Sequence, residues 1–223
     1  MEREIFDEKY RNGLTKVSTT NLSDALDKVG LRGAVIGILP LFGKPKVVGR
    51  AVTIKITAAG VEKSKGHLGV EAIASAHKGD VIVIDNRGDV HNNCWGEILS
   101  CAARMKGVSG VIIDGAARDV DACEELEFPV FARGVVPITA RGRIVQEAFN
   151  CPIRIGDVHV RPGDILVGDV NGVVVIPIER VDEVLNEAEK LMEKEERMKK
   201  DLLAGIDVLE VDKKYNYEHM LKR

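Results

Sequence analysis

No stretch of uncharged apolar residues in this chain is long enough to span a bilayer, so no transmembrane helix is expected. The first residues, Met1-Glu2-Arg3-Glu4, are charged and lack the apolar segment of a secretory leader, which points to a soluble cytoplasmic protein. Cysteine is sparse: Cys94, Cys101, Cys123 and Cys151 form no C-x-x-C pair and no metal-finger spacing. Four thiols without a pairing pattern suit a reducing compartment. Positive charge is not in excess, with a net charge of −3, so nucleic acid is not an expected direct partner. His67, His77 and His159 have no metal-ligand spacing with one another. No G-x-G-x-x-G loop follows a strand, which argues against a nucleoside cofactor and hence against a methyltransferase. Internal repeats and low-complexity segments are also lacking.

What the chain does have is patterning, and 223 residues are enough to bury a core as one domain with an appendage. Asn21 and Asp24 mark a helix start ahead of Leu22, Ala25, Leu26 and Val29, and Gly30 closes it. Val47 to Thr57 reads as a strand and Gly69 to His77 as a short helix. From Asp80 to Ala132 the pattern is strand, helix, strand, helix, strand. Cys101 shares a helical stripe with Ile98, Ala102 and Met105, which predicts a small core residue. Residues 135–177 are short apolar runs broken by glycine, and Asn171-Gly172 predicts a hairpin in antiparallel β structure. A long charged helix is expected from Glu179 to Leu203, with Val181, Val184, Leu185, Ala188, Leu191 and Met192 on one stripe. Gly205 ends it, giving a domain over residues 1–205 and a charged tail over 206–223.

Chemistry concentrates at two strand ends. The run Asp80–Asp85 leads into a polar loop that ends at Trp95-Gly96-Glu97. Twenty residues separate Glu97 from the pair Arg118-Asp119, which follows the run Val111–Asp114 and the small residues Gly115-Ala116-Ala117. Strands joined by a helix are normally parallel neighbours, so both loops should open at the carboxyl ends of adjacent strands. The N–H groups of Gly96, Glu97, Ile98 and Leu99 would be the orphan donors of a helix start, suited to a carboxylate or phosphate. Arg118 offers a planar fork for an oxyanion, and Asp119 a hard oxygen of the kind Mg²⁺ or Mn²⁺ prefers. Taken singly, Glu97 could simply complement the helix dipole and Arg118-Asp119 could cap the next helix; their pairing on neighbouring loops favours a site. His91 reads as a surface loop residue, Trp95 as packing for its loop, and Asp169 as a turn residue.

Several stretches together resemble the RraA-like proteins, and within them the 4-hydroxy-4-methyl-2-oxoglutarate/4-carboxy-4-hydroxy-2-oxoadipate aldolases. They are Ser18–Asp27, Gly49-Arg50-Ala51-Val52-Thr53, Trp95-Gly96-Glu97, Gly115–Asp119 and Pro162–Pro177. Those aldolases carry an Asp, twenty residues, then Arg-Asp; here Glu97 takes the place of the first Asp. The resemblance implies an α/β protein with the β/β/α swivelling-domain fold, assembled as a homotrimer or hexamer. It implies a class II pyruvate aldolase that uses Mg²⁺ or Mn²⁺ on a small 2-oxo acid substrate, with oxaloacetate decarboxylation as a companion activity. Asp119 would hold the metal directly and Glu97 through water. Arg118 would stabilise developing negative charge, and the N–H groups of Gly96 to Leu99 would bind the pyruvyl carboxylate. Glu195, with Glu193 and Glu196 close by, would act from a neighbouring subunit, also through water. The resemblance equally admits a non-catalytic RraA-like regulator that binds RNase E or another protein.

Overall fold

The computed structural model describes residues 2–60 and 66–216, with side chains from residue 8 onward. Helices α1 (Glu2–Lys16) and α2 (Thr19–Lys28) precede the short strands β1 (Ala34–Val35) and β2 (Leu39–Pro40) and the long strand β3 (Val47–Ala58). Next come α3 (Val70–Ser75), β4 (Val81–Asn93), α4 (Glu97–Lys106), β5 (Gly110–Ala117), α5 (Val120–Glu125) and β6 (Val130–Val135). Five short strands follow: β7 (Ile144–Phe149), β8 (Ile153–Ile155), β9 (Val158–Val160), β10 (Ile165–Asp169) and β11 (Gly172–Ile176). A 3₁₀ turn at Ile178–Arg180 leads into α6 (Val181–Leu203), and α7 (Val208–Tyr215) comes last.

The main sheet runs β1-β11-β10-β3-β4-β5-β6-β2, with β7 also on β3. Strands β3, β4, β5 and β6 are mutually parallel, as strands joined by helices should be. Every other pairing is antiparallel. Strand β3 is the pivot: its first residues pair with β10 and its last with β7. The glycine-punctuated half is therefore antiparallel, but β10 and β11 extend the main sheet instead of standing apart. Their hairpin turns at Asn171, before Gly172 with φ 140°.

Alternation along the parallel strands sorts side chains to two buried faces, which is why these strands are apolar throughout. Ile82, Ile84, Val111 and Ile113 face α3, α4 and α5. Val81, Val83, Ile112 and Phe131 face the β8–β9 hairpin with Ile153, Ile155, Val158 and Val160. A third cluster joins α1, α2 and α6 to β10 and β11, and there Val181, Val184, Ala188 and Leu191 bury the expected stripe. The result is the β/β/α arrangement of an α/β protein.

Local differences have local causes. Helix α2 begins earlier than Asn21, because Ser18 is the cap and its hydroxyl accepts the Asn21 N–H. The polar segment after Asp85 continues β4 to Asn93, with register shifts against β5 that absorb the extra residues. The Cys101 reading is corrected: Cys101, Ile98, Ala102 and Met105 are all exposed, and α4 buries Leu99, Ser100 and Ala103 instead. Both stripes of α4 are apolar, so periodicity alone could not choose between them. Within the segment read as a charged tail, α7 docks on α6 through buried Val211 and a Tyr215–Asp201 hydrogen bond. Residues 217–223 of that segment lie outside the described residues.

Candidate active site

The β4–α4 corner is anchored before it presents any chemistry. Trp95 is buried beneath it, donating from Nε1 to Ser100 Oγ at 2.8 Å and stacking on Phe128 at 6.3 Å. Ser100 in turn contacts Cys123 Sγ on α5 at 3.2 Å. Main-chain bonds then stitch this corner to the end of β5: Cys94 N–H to Ala116 C=O and Arg118 N–H to Trp95 C=O, both at 3.0 Å. Two loops twenty residues apart are thereby locked side by side.

Asp119 completes the junction. Its backbone takes φ 55°, ψ 42°, a left-handed conformation that Asp tolerates better than most residues. The side chain turns back to α4, where Oδ2 accepts the Glu97 N–H at 3.2 Å and Arg118 Nε at 3.2 Å. Gly96 is required here by close approach, since a Cβ at that position would meet Asp119 Oδ2 at 2.5 Å. One orphan donor of α4 is thus taken by Asp119. The N–H groups of Ile98 and Leu99 have no protein acceptor among the described residues.

A cavity of about 480 Å³ opens over this junction, a size typical of small-molecule sites. Gly96, Glu97, Ile98, Leu99, Arg118 and Asp119 all line it, so every residue expected there from α4 and the β5 end converges in one place. Asp119 Oδ1 and the Glu97 carboxylate have no protein partner among the described residues. No cluster of three His, Cys, Asp or Glu side chains suited to a metal occurs among the described residues. Two hard carboxylates lining one cavity, Asp119 and Glu97, are a donor set that suits Mg²⁺ or Mn²⁺, because Mg²⁺ keeps several waters and needs few protein ligands.

Glu195 is elsewhere in its own subunit. Its Oε2 accepts Asn21 Nδ2 at 2.6 Å, on the face where α6 meets α2. Burial, followed by the charges of Glu195 and Asp27, raises the pKa of neighbouring Asp24. Glu193 pairs with Arg197, and Glu196 lies 4.0 Å from Lys199. His91 is exposed and outside the cavity wall. Asp169 is a structural turn residue, accepting from the Thr19 N–H and hydroxyl and from the Asn171 N–H. Burial drives the Cys94 thiol pKa up, which makes it inert.

Sequence reasoning missed His67, Asn93, Thr139 and Arg141, which also line the cavity. Asn93 is 6% exposed and its Oδ1 has no partner among the described residues. Thr139 and Arg141 follow the fourth parallel strand, β6, and reach the cavity because β7 returns to β3, a pairing that no local sequence pattern announces.

A ligand-sized cavity at the carboxyl ends of parallel strands, in a β/β/α sheet, places the molecule among small α/β proteins that bind their ligands there. More specifically, the chain belongs to the RraA-like family, described as Aldolase/RraA, which matches residues 19–175. It is 40% identical to a protein of Halalkalibacterium halodurans named "Putative 4-hydroxy-4-methyl-2-oxoglutarate aldolase", over 78% of this chain and 79% of that one. It is 33% identical to protein DlpA of Legionella pneumophila over 92% of this chain, but spans only 33% of DlpA's length. Among solved structures, an uncharacterized protein of Pseudomonas syringae superposes with TM-score 0.83 at 29% identity, covering 92% of this chain and 96% of that one. Streptomyces coelicolor RraAS2, described as an unusual member of the RNase ES inhibitor RraA family, superposes with TM-score 0.78 at 26% identity. That match covers 86% of this chain and 96% of RraAS2. No helix among the described residues is long and apolar enough to cross a membrane.

Proposed function

We propose that this protein is a divalent-metal-dependent class II pyruvate aldolase that cleaves a 4-hydroxy-2-oxo dicarboxylic acid to pyruvate and a second oxo acid. The observation that carries this reading is the convergence of Glu97, Arg118 and Asp119 with the start of α4 in one cavity. The relatives named as aldolases support it.

In this reading the N–H groups of Ile98 and Leu99 bind the substrate's C1 carboxylate, helped by the α4 dipole. Asp119 would hold Mg²⁺ or Mn²⁺ directly and Glu97 would hold it through water. The bound cation supplies Lewis-acid polarisation of the 2-oxo group. The C4 hydroxyl gives its proton to water as its oxygen becomes the new carbonyl, the C3–C4 bond breaks, and its electron pair forms the C2=C3 bond of the pyruvate enolate with the charge on the C2 oxygen. Arg118 donates to the enolate oxygen, a contribution of a few kcal/mol for a well-placed donor. Protonation at C3 completes pyruvate. Oxaloacetate decarboxylation passes through the same enolate and is an expected companion activity.

The exposed apolar stripe beside the cavity, with Ile98 at 70% and Met105 at 83%, supports burial against a second copy in a trimer or hexamer. The likeness to RraAS2 supports a second reading, a non-catalytic regulator that binds a ribonuclease or another protein. Purified protein with Mg²⁺ decides between them. Pyruvate release from a 4-hydroxy-2-oxo diacid that EDTA abolishes supports the aldolase, and no release across a panel of such acids supports the regulator.

A further inference from the structure

The connection from β6 to β7 has a geometry of its own. Strand β6 lies beyond β5, whereas β7 pairs with β3 on the other side of β4. The chain between them therefore crosses over the carboxyl ends of β5 and β4 and roofs the cavity with Thr139, Ala140, Arg141 and Gly142. The crossing is tied down along its length. Asn93 N–H donates to Ile138 C=O at 3.4 Å, Arg143 Nη1 to Thr139 C=O at 3.3 Å, and Ala59 N–H to Arg143 C=O at 2.7 Å. The Arg141 N–H reaches Thr139 Oγ1 at 3.3 Å.

The arginines around the cavity differ in what occupies them. Arg118 is engaged by Asp119 and Arg143 by the Thr139 carbonyl. Arg141 lines the cavity, and its guanidinium has no hydrogen-bond or ion-pair partner among the described residues. An arginine fork left open beside a pocket that also presents the unpaired N–H groups of Ile98 and Leu99 is matched to a second planar anion.

We propose that Arg141 is the specificity-determining residue for the distal carboxylate, so that the cavity selects 2-oxo diacids over 2-oxo monoacids of equal length. This assignment rests on the 2-oxo acid reading of the cavity and adds the residue that sets the substrate class. Arg141 is exposed on a loop tied by its neighbours, so its replacement leaves the fold intact.

The test is calorimetric titration of the full chain with Mg²⁺, using 2-oxoglutarate and 2-oxopentanoate, which differ in the distal carboxylate. The wild type should bind the diacid about tenfold more tightly or better, as a charge-assisted bidentate contact allows. Arg141→Gln should abolish that preference while leaving 2-oxopentanoate binding unchanged, and Arg141→Lys should keep part of it. The preference should also shrink as salt is raised. Equal binding of the two acids by the wild type, a preference that survives Arg141→Gln, or binding of neither acid would overturn the proposal. An Arg141-dependent preference in a protein that releases no pyruvate would sink the aldolase reading and leave this assignment standing.

Discussion

Position 96 shows how little room the site has. Adding one methyl group there brings carbon to 2.5 Å from Asp119 Oδ2 and 3.2 Å from Arg118 Cγ, so both side chains must move. Gly96→Ala is expected to lower kcat/KM for pyruvate release by at least about tenfold, because displacements of this size misplace reacting groups. Thermal unfolding should barely shift, since the corner is held by Trp95 and main-chain bonds; steady-state kinetics beside a melting curve checks both. Asp119→Asn keeps a residue type that accepts the left-handed conformation and loses only the charge. It should therefore stay folded and fail to bind Mn²⁺ in a paramagnetic titration. Arg118→Ala should bind Mn²⁺ nearly as well as wild type and lose most of its turnover. Wild-type rates in both of these variants would place the chemistry elsewhere.

Among elements, the tie between α2 and the β10–β11 hairpin has its own pH signature. Burial pushes the Asp169 pKa up, but hydrogen bonds from Thr19 and Asn171 and the charge of Lys46 outweigh it and hold the pKa below the ordinary value. A depressed folded pKa adds stability above the unfolded value of about 3.9 and loses it as pH falls through the folded value. Asp169→Asn should cost about 1–2 kcal/mol at neutral pH and progressively less as pH falls below about 3.9, read by urea unfolding across that range. The parallel unit was legible because the strand-helix alternation from Asp80 to Ala132 leaves few options. Helix α4 was legible in position and not in rotation, because Leu99-Ala103 and Ile98-Met105 are both apolar. The continuation of β4 beyond Asp85 was hidden, since Asn86–Asn93 is polar and pairs by shifted register instead of alternation. Arg141 went unread for a topological reason: its loop reaches the cavity because β7 returns to β3, and no local pattern announces that pairing.

At the scale of the whole molecule, α4 leaves Ile98, Cys101 and Met105 uncovered beside the cavity mouth. If a second copy covers that stripe, Met105→Glu should shift the protein to monomer in sedimentation, and a wild-type assembly state would contradict it. The central claim concerns the cavity itself: two separated loops place a cation-holding carboxylate and an arginine on one 2-oxo acid. A lactate-dehydrogenase-coupled assay on a 4-hydroxy-2-oxo diacid tests that claim most directly. The account predicts steady pyruvate release with Mg²⁺ or Mn²⁺, stopped by EDTA and restored by added metal. Release that persists unchanged in EDTA, or none from any such acid, would contradict it.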